Sequence, residues 1–265
     1  MNSYEKRKGM EDMPQLIKNE CKKMFLPVLL TTAALTIIMC VLIEKLYLSY
    51  TLHYDLEAWE VGTGGFSLLY PLFVVIPLCW NLYYERKNNF LLYIAPRVPV
   101  KKYLTAKWTA YALGAFCIMA VPYLLSAVYA IDIKAPVVPP ETNTFSHVFQ
   151  TAFVEKPLLY AAVLSCWRGV IGILAMTFGF VLAMYCKNIF VILTGPFIYS
   201  ILENFIMAIL SLEKYRLVVA FDPTCISFHA VTWLSFFTGP VLLLCVIGFT
   251  AFFHAKIRKN TVVNV

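Results

Sequence analysis

Arg168 and Glu203 are the two charged residues that interrupt otherwise charge-free apolar runs in this sequence. A charge at the centre of a bilayer-spanning helix costs on the order of 3 kcal/mol on insertion scales, so such residues default to functional candidates. The turn at Lys187-Asn188 sets their depth. At 1.5 Å per helical residue, Arg168 stands roughly 27 Å from that turn and Glu203 roughly 22 Å. Both then belong to the outer third of adjacent antiparallel helices. They are expected to meet as an ion pair or to share a polar network. The competing expectation is that Arg168 snorkels to the outer surface and Glu203 caps a broken helix.

Other chemistry is missing from the sequence. It contains no GxxxxGK[ST] phosphate loop, no HExxH and no GxSxG. The chain is therefore not expected to be an enzyme, and it cannot hydrolyse ATP in the P-loop manner. His53, His147 and His229 fall in loops on one side and read as solvated residues rather than metal ligands. The eight cysteines form no CxxC spacing, and most fall inside apolar runs. They read as small apolar packing residues. No metal or cofactor is expected on this chain.

The elements that would carry these residues follow from composition. The chain is 60% hydrophobic and 14% charged, with a mean hydropathy of +0.72. Soluble domains carry about 25% charged residues, so lipid is the fitting solvent here. About 20 residues of helix cross a hydrocarbon core of about 30 Å. Charge-free runs at Met24–Ile43, Phe66–Tyr84, Trp108–Ile131 and Val231–Phe253 qualify, and 165–186 and 189–210 supply two more. The expected fold is all-α and polytopic, with six transmembrane helices. Residues 24–253 form the membrane domain, between a polar N-terminus (1–23) and a tail (254–265).

Sixteen of the 22 lysines and arginines fall in 1–23, in the 85–107 connection, at Lys187 or in the tail. Basic residues gather on the cytoplasmic side of spans. Both termini are therefore expected in the cytoplasm, at the plasma membrane. The net charge of +7 needs no nucleic acid. Topology and anionic inner-leaflet lipid account for it. Residues 14–24 read as an amphipathic interfacial helix, with Leu16, Ile17, Cys21 and Met24 on one side and Lys18, Asn19, Lys22 and Lys23 on the other. Pro157–Trp167 reads as a re-entrant helix or as an extension of the fourth span, with Ala161, Ser165, Gly169 and Gly172 as a small-residue packing face. The Pro-rich stretch 135–140 is expected to be extended.

The connection Glu85–Lys107, ERKNNFLLYIAPRVPVKKYLTAK, carries more apolar surface than a linker needs. Exposed apolar surface marks a binding site. This segment resembles the cytoplasmic elbow between the second and third spans of ABC-2 type transporter permeases. The resemblance rests on Glu85-Arg86, Leu91-Leu92-Tyr93, Pro96, Arg97 and Lys107, with Asn88-Asn89 where that family often has Gly-Thr. The resemblance implies an exporter permease that pairs with a second copy of itself and receives a separate ATPase subunit, which binds ATP and Mg. It further implies an ATPase-docking elbow helix over about Glu85–Ala95, with Glu85, Arg86, Phe90, Leu91, Leu92, Tyr93, Pro96 and Arg97 as its contact set. Small two-part exporters of this kind resemble bacterial systems that expel antimicrobial or cytolytic peptides, such as phenol-soluble modulins. The spans themselves offer few groups to solvate an ion or sugar, which favours a hydrophobic or amphipathic cargo. A stand-alone secondary transporter or channel is the alternative. Such proteins usually carry internal repeats and midplane polar sites, neither of which is evident here. A membrane-embedded enzyme would need clustered catalytic groups, and only Arg168 and Glu203 come near to that.

Overall fold

The computed structural model describes residues 13–46, 48, 51–54, 56–96, 98–132 and 147–257, and structural statements below concern these. They form helices joined by turns, with no strand among them. Helix α1 is Met13–Leu46, α2 is Glu57–Thr63, α3 is Tyr70–Lys87 and α4 is Phe90–Ile94. Then come α5 (Val100–Asp132), α6 (Gln150–Glu155), α7 (Pro157–Tyr185), α8 (Ile189–Ile209), α9 (Leu217–Phe221) and α10 (Trp233–Ile257). In hydrocarbon every peptide group needs a partner, and a helix supplies it within the segment.

Helices α1, α5, α7, α8 and α10 are each long and apolar enough to cross a membrane. A sixth crossing exists only if the Glu57–Phe66 segment and α3, bent by 56°, count as one. The chain is a multi-pass membrane protein. The expected second span, Phe66–Tyr84, is thus redrawn: its helix starts at Tyr70 and runs to Lys87. Pro71 suits this start, because it stands in the first turn of α3, where its missing N–H has no intrahelical partner to lose.

Two further expectations change. Residues 14–24 are not a separate element but the first turns of the unbroken α1. Their sidedness is as expected: Leu16 and Met24 are buried, while Lys18, Asn19, Lys22 and Lys23 are exposed. Pro157–Trp167 is an extension of the fourth span, continuous with the rest of α7. The Pro-rich stretch 135–140 lies outside the described residues.

Helix α5 is the axis of the bundle, packed along α1 on one side and α7 on the other. The small residues of α7 permit this. A Cβ at Gly169 would lie 2.6 Å from the Phe116 ring, and one at Gly172 2.7 Å from Met119. Ser165 and Ala161, one and two turns before Gly169, are also buried. Just over half of the apolar window of α5 is buried (56%), against 17% for α1. The outward face of α1 is therefore left to lipid or to a partner.

Candidate functional site

The end of the bundle that carries α4 is built on a buried ion network. Lys107 on α5, 1% exposed, has its Nζ 3.0 Å from Glu20 Oε2 of α1 and 2.6 Å from Glu85 Oε2 near the end of α3. Tyr103, one turn before Lys107, donates its hydroxyl to Glu85 Oε2 at 3.1 Å and approaches Glu20 Oε1 at 3.4 Å. Lys23 closes the set at 2.5 Å from Glu20 Oε1. Two carboxylates therefore face two ammonium groups, and three helices are joined by their side chains. A buried charge is tolerable only when paired and hydrogen-bonded in this way.

This network roots the elbow. Helix α3 ends at an Asn88-Asn89 turn in which Asn89 takes the left-handed conformation, φ 55°. Asparagine tolerates that conformation at a helix end. Arg86 donates to the Cys186 carbonyl in the turn between α7 and α8. The return from the elbow packs Val98 and Tyr103 against Leu16, with Ile94 and Ile17 at the edge. Asn188 caps α8 by accepting from the Phe190 N–H at 2.9 Å.

The expected contact set therefore divides. Glu85 and Arg86 belong to α3 and are engaged within the chain, so the separate helix starts at Phe90 rather than Glu85. Its exposed apolar groups are Phe90 (41%) and Tyr93 (74%), with Pro96 exposed after it. Leu91 and Leu92 lie on α4, but their side chains are outside the description, and Arg97 lies outside the described residues.

At the far end Arg168 and Glu203 do not pair with each other. They hold opposite ends of the same five-residue helix, α9. Glu203 accepts from the Leu217 N–H at 3.0 and 3.2 Å, at its N-terminus. Arg168 Nε donates to the Phe221 carbonyl at 3.1 Å, at its C-terminus, and Nη2 stands 3.4 Å from Asp222 Oδ1. The signs match a helix dipole, anion at the N-terminus and cation at the C-terminus. The Arg168 guanidinium is also enclosed by aromatic rings, 4.3 Å from the Tyr123 centroid, 4.8 Å from Trp59 and 5.5 Å from Phe221. The expectation of an ion pair fails because the 210–222 connection folds back between α7 and α8 and supplies Asp222 as the nearer acid.

Beside it, His147 bridges the loop before α6 to α2. Its Nε2 is 2.9 Å from Glu57 Oε1 and its Nδ1 3.4 Å from Glu60 Oε2. The ring stacks on Phe153 at 3.9 Å, with Tyr54 edge-on at 5.8 Å. Burial alone would lower the imidazole pKa, but hydrogen bonds to Glu57 and Glu60 outweigh it and push the value up to about 9. Among the described residues no three His, Cys, Asp or Glu side chains gather as a metal site.

Sequence reading missed Glu20, Lys107 and Asp222 as buried charges. Glu20 had a visible signal: it occupies the middle of the Leu16–Glu20–Met24 stripe, at i+4 spacing on the buried side of α1. Asp222 had none beyond following an apolar run.

Comparison with known protein families, with curated proteins and with solved structures finds no match.

Proposed function

We propose that the chain is the membrane-spanning permease subunit of an ABC-2 type exporter, driven by a separate ATPase. The observation that carries this reading is the elbow. A five-residue helix presents Phe90 and Tyr93 beyond the end of the bundle, on a root tied to three spans by Glu20, Lys107 and Glu85. Surface aromatic residues on a rigid root suit a docking partner. In this reading the partner is the ATP- and Mg-binding subunit on the cytoplasmic side, and both chain termini lie on that side. Closure of the ATPases pushes α4. The push reaches α3 directly and reaches α1 and α5 through Lys107. A second copy of the chain completes the path across the membrane. The cargo is hydrophobic or amphipathic, in keeping with charged groups that are engaged within the chain, Arg168 and Glu203 on α9 and Lys107 with Glu20 and Glu85.

Affinity purification of the protein in mild detergent tests the reading. It should bring down one ATP-hydrolysing subunit per chain, and a Phe90→Arg/Tyr93→Arg double variant should lose that subunit while keeping its own fold. Purification from the native host without any ATPase overturns the proposal.

A further inference from the structure

Two grooves flank one ridge on the membrane-facing side at the far end. The first, about 410 Å³, is bounded by Phe149, Leu159, Val163, Trp167, Trp233 and Phe237, among others. The second, about 650 Å³, lies between the end of α5 (Val128, Ile131 and Asp132) and the start of α7 (Lys156, Leu158 and Ala162). Leu159 lines both and separates them. Leu159, Val163 and Trp233 are 56%, 64% and 70% exposed. The helices that carry them are long and apolar enough to cross a membrane, so what meets these side chains there is hydrocarbon.

The first groove offers little to a polar guest. Its Tyr160 hydroxyl is turned to Glu60 Oε1 at 3.4 Å, and the Trp167 indole donates to the Ala220 carbonyl at 2.8 Å. A peptide laid there would bring amides and carbonyls with few free partners, each costing several kcal/mol in apolar surroundings. An acyl chain brings none.

The second groove carries charge at its rim. Lys156 stands at the start of α7 and Asp132 is the last residue of α5. Both line the groove, and among the described residues neither side chain takes part in an ion pair. Two charges of opposite sign beside an apolar trough match a head group that carries both signs.

We propose that this face holds one two-chain phospholipid with a zwitterionic, amine-bearing head group. It straddles Leu159, with one acyl chain in the aromatic groove and the other beside Val128 and Leu158. Its phosphate faces Lys156 and its ammonium faces Asp132. The inference stands independently of the ATPase reading.

The experiment is native mass spectrometry of the delipidated full chain in detergent. It is titrated with dioleoyl phosphatidylethanolamine, with dioleoyl phosphatidylglycerol and with single-chain lysophosphatidylethanolamine. One phosphatidylethanolamine per chain should be retained about tenfold more tightly than either competitor, a difference of about 1.4 kcal/mol. Val163→Trp, which fills the first groove, and Lys156→Glu, which reverses the rim charge, should each lower that retention about tenfold. Ile198→Trp, at an exposed site on α8, should leave it unchanged. Retention equal in Val163→Trp and the parent overturns the site. Equal retention of phosphatidylglycerol overturns the head-group assignment. A photo-crosslinker at Val163 that captures co-purified peptide instead of lipid overturns the occupant.

Discussion

Lys107 at the elbow end and Arg168 at the far end are each 1% exposed, and each faces a carboxylate, yet they hold different things together. Lys107 joins side chains from three separate helices, and its partner Glu85 keeps 18% of its side chain in contact with the surroundings. The Tyr103 hydroxyl at 3.3 Å and the Tyr103 and Tyr111 rings at 5.4 Å also meet the ammonium, but they belong to α5 itself, so a shift of α3 can lengthen one ion pair while the other holds. Arg168 instead donates to a backbone carbonyl and lies among three aromatic rings. Its planar group is held from several sides at once. The elbow end has the construction of a joint and the far end that of a clamp. In the proposed exporter a joint belongs beside the ATPase, and a clamp belongs where the outer connections must stay folded while the bundle moves.

The strongest test of this contrast is Lys107→Met. It leaves Glu20, which is 3% exposed, facing Glu85 with only Lys23 to compensate. Breaking a buried pair from one side costs about 3–5 kcal/mol, and unfolding in detergent should register a loss of that size. Adding Glu20→Gln and Glu85→Gln should recover most of it, because the penalty comes from unpaired charge rather than from lost packing. A Lys107→Met protein as stable as the parent would remove the network from the account of the elbow. Arg168→Lys comes next, at about 1–3 kcal/mol, the range for a buried group left without its hydrogen bond. An ammonium keeps the charge but loses the planar fork and the stacking. If the far end is a clamp, lysine fails there. If only charge matters, lysine restores stability and the contrast collapses.

Much of this architecture was legible in the sequence. Hydrocarbon thickness is a physical ruler, and charge-free runs of about 20 residues satisfy it wherever they occur. That is why the third, fifth and sixth spans fall close to their expected places. The second does not, because a run's composition carries no information on where the chain bends, here by 56° between Phe66 and Tyr70. Arg168 and Glu203 were legible as residues with a task, since an intramembrane charge needs a reason. Their partners were not. Depth along two helices gave them similar heights, but the distance between them depends on what lies between. The stretch 217–222 fills that space and takes each charge for itself. The elbow was legible as a feature through its apolar run. Its root was not, because Glu20 lies 65 positions before Glu85 and only the packing of α1 on α5 brings them together.

The smallest effect comes from the part of the far end that titrates. His147 is joined to Glu57 and Glu60, and its pKa rises from an ordinary 6.5 to about 9. A cationic group whose pKa is raised by folding adds stability that is fully present below pH 6.5 and is lost as pH rises through about 9. The bonds concerned tie the loop before α6 to α2, so the loss should be local and about 1 kcal/mol. Hydrogen exchange of residues 148–155 should quicken between pH 7 and pH 10 beyond the intrinsic increase, while exchange in α5 keeps to the intrinsic trend. In His147→Gln that extra quickening should disappear and the faster exchange should already be present at pH 7. Should the far end loosen as a whole with pH, Arg168 and His147 would form one cooperative unit rather than a clamp with a titratable edge. The arginine's own contacts argue against that, because its guanidinium is bonded to Phe221 and Asp222 directly and neither bond is made to the imidazole.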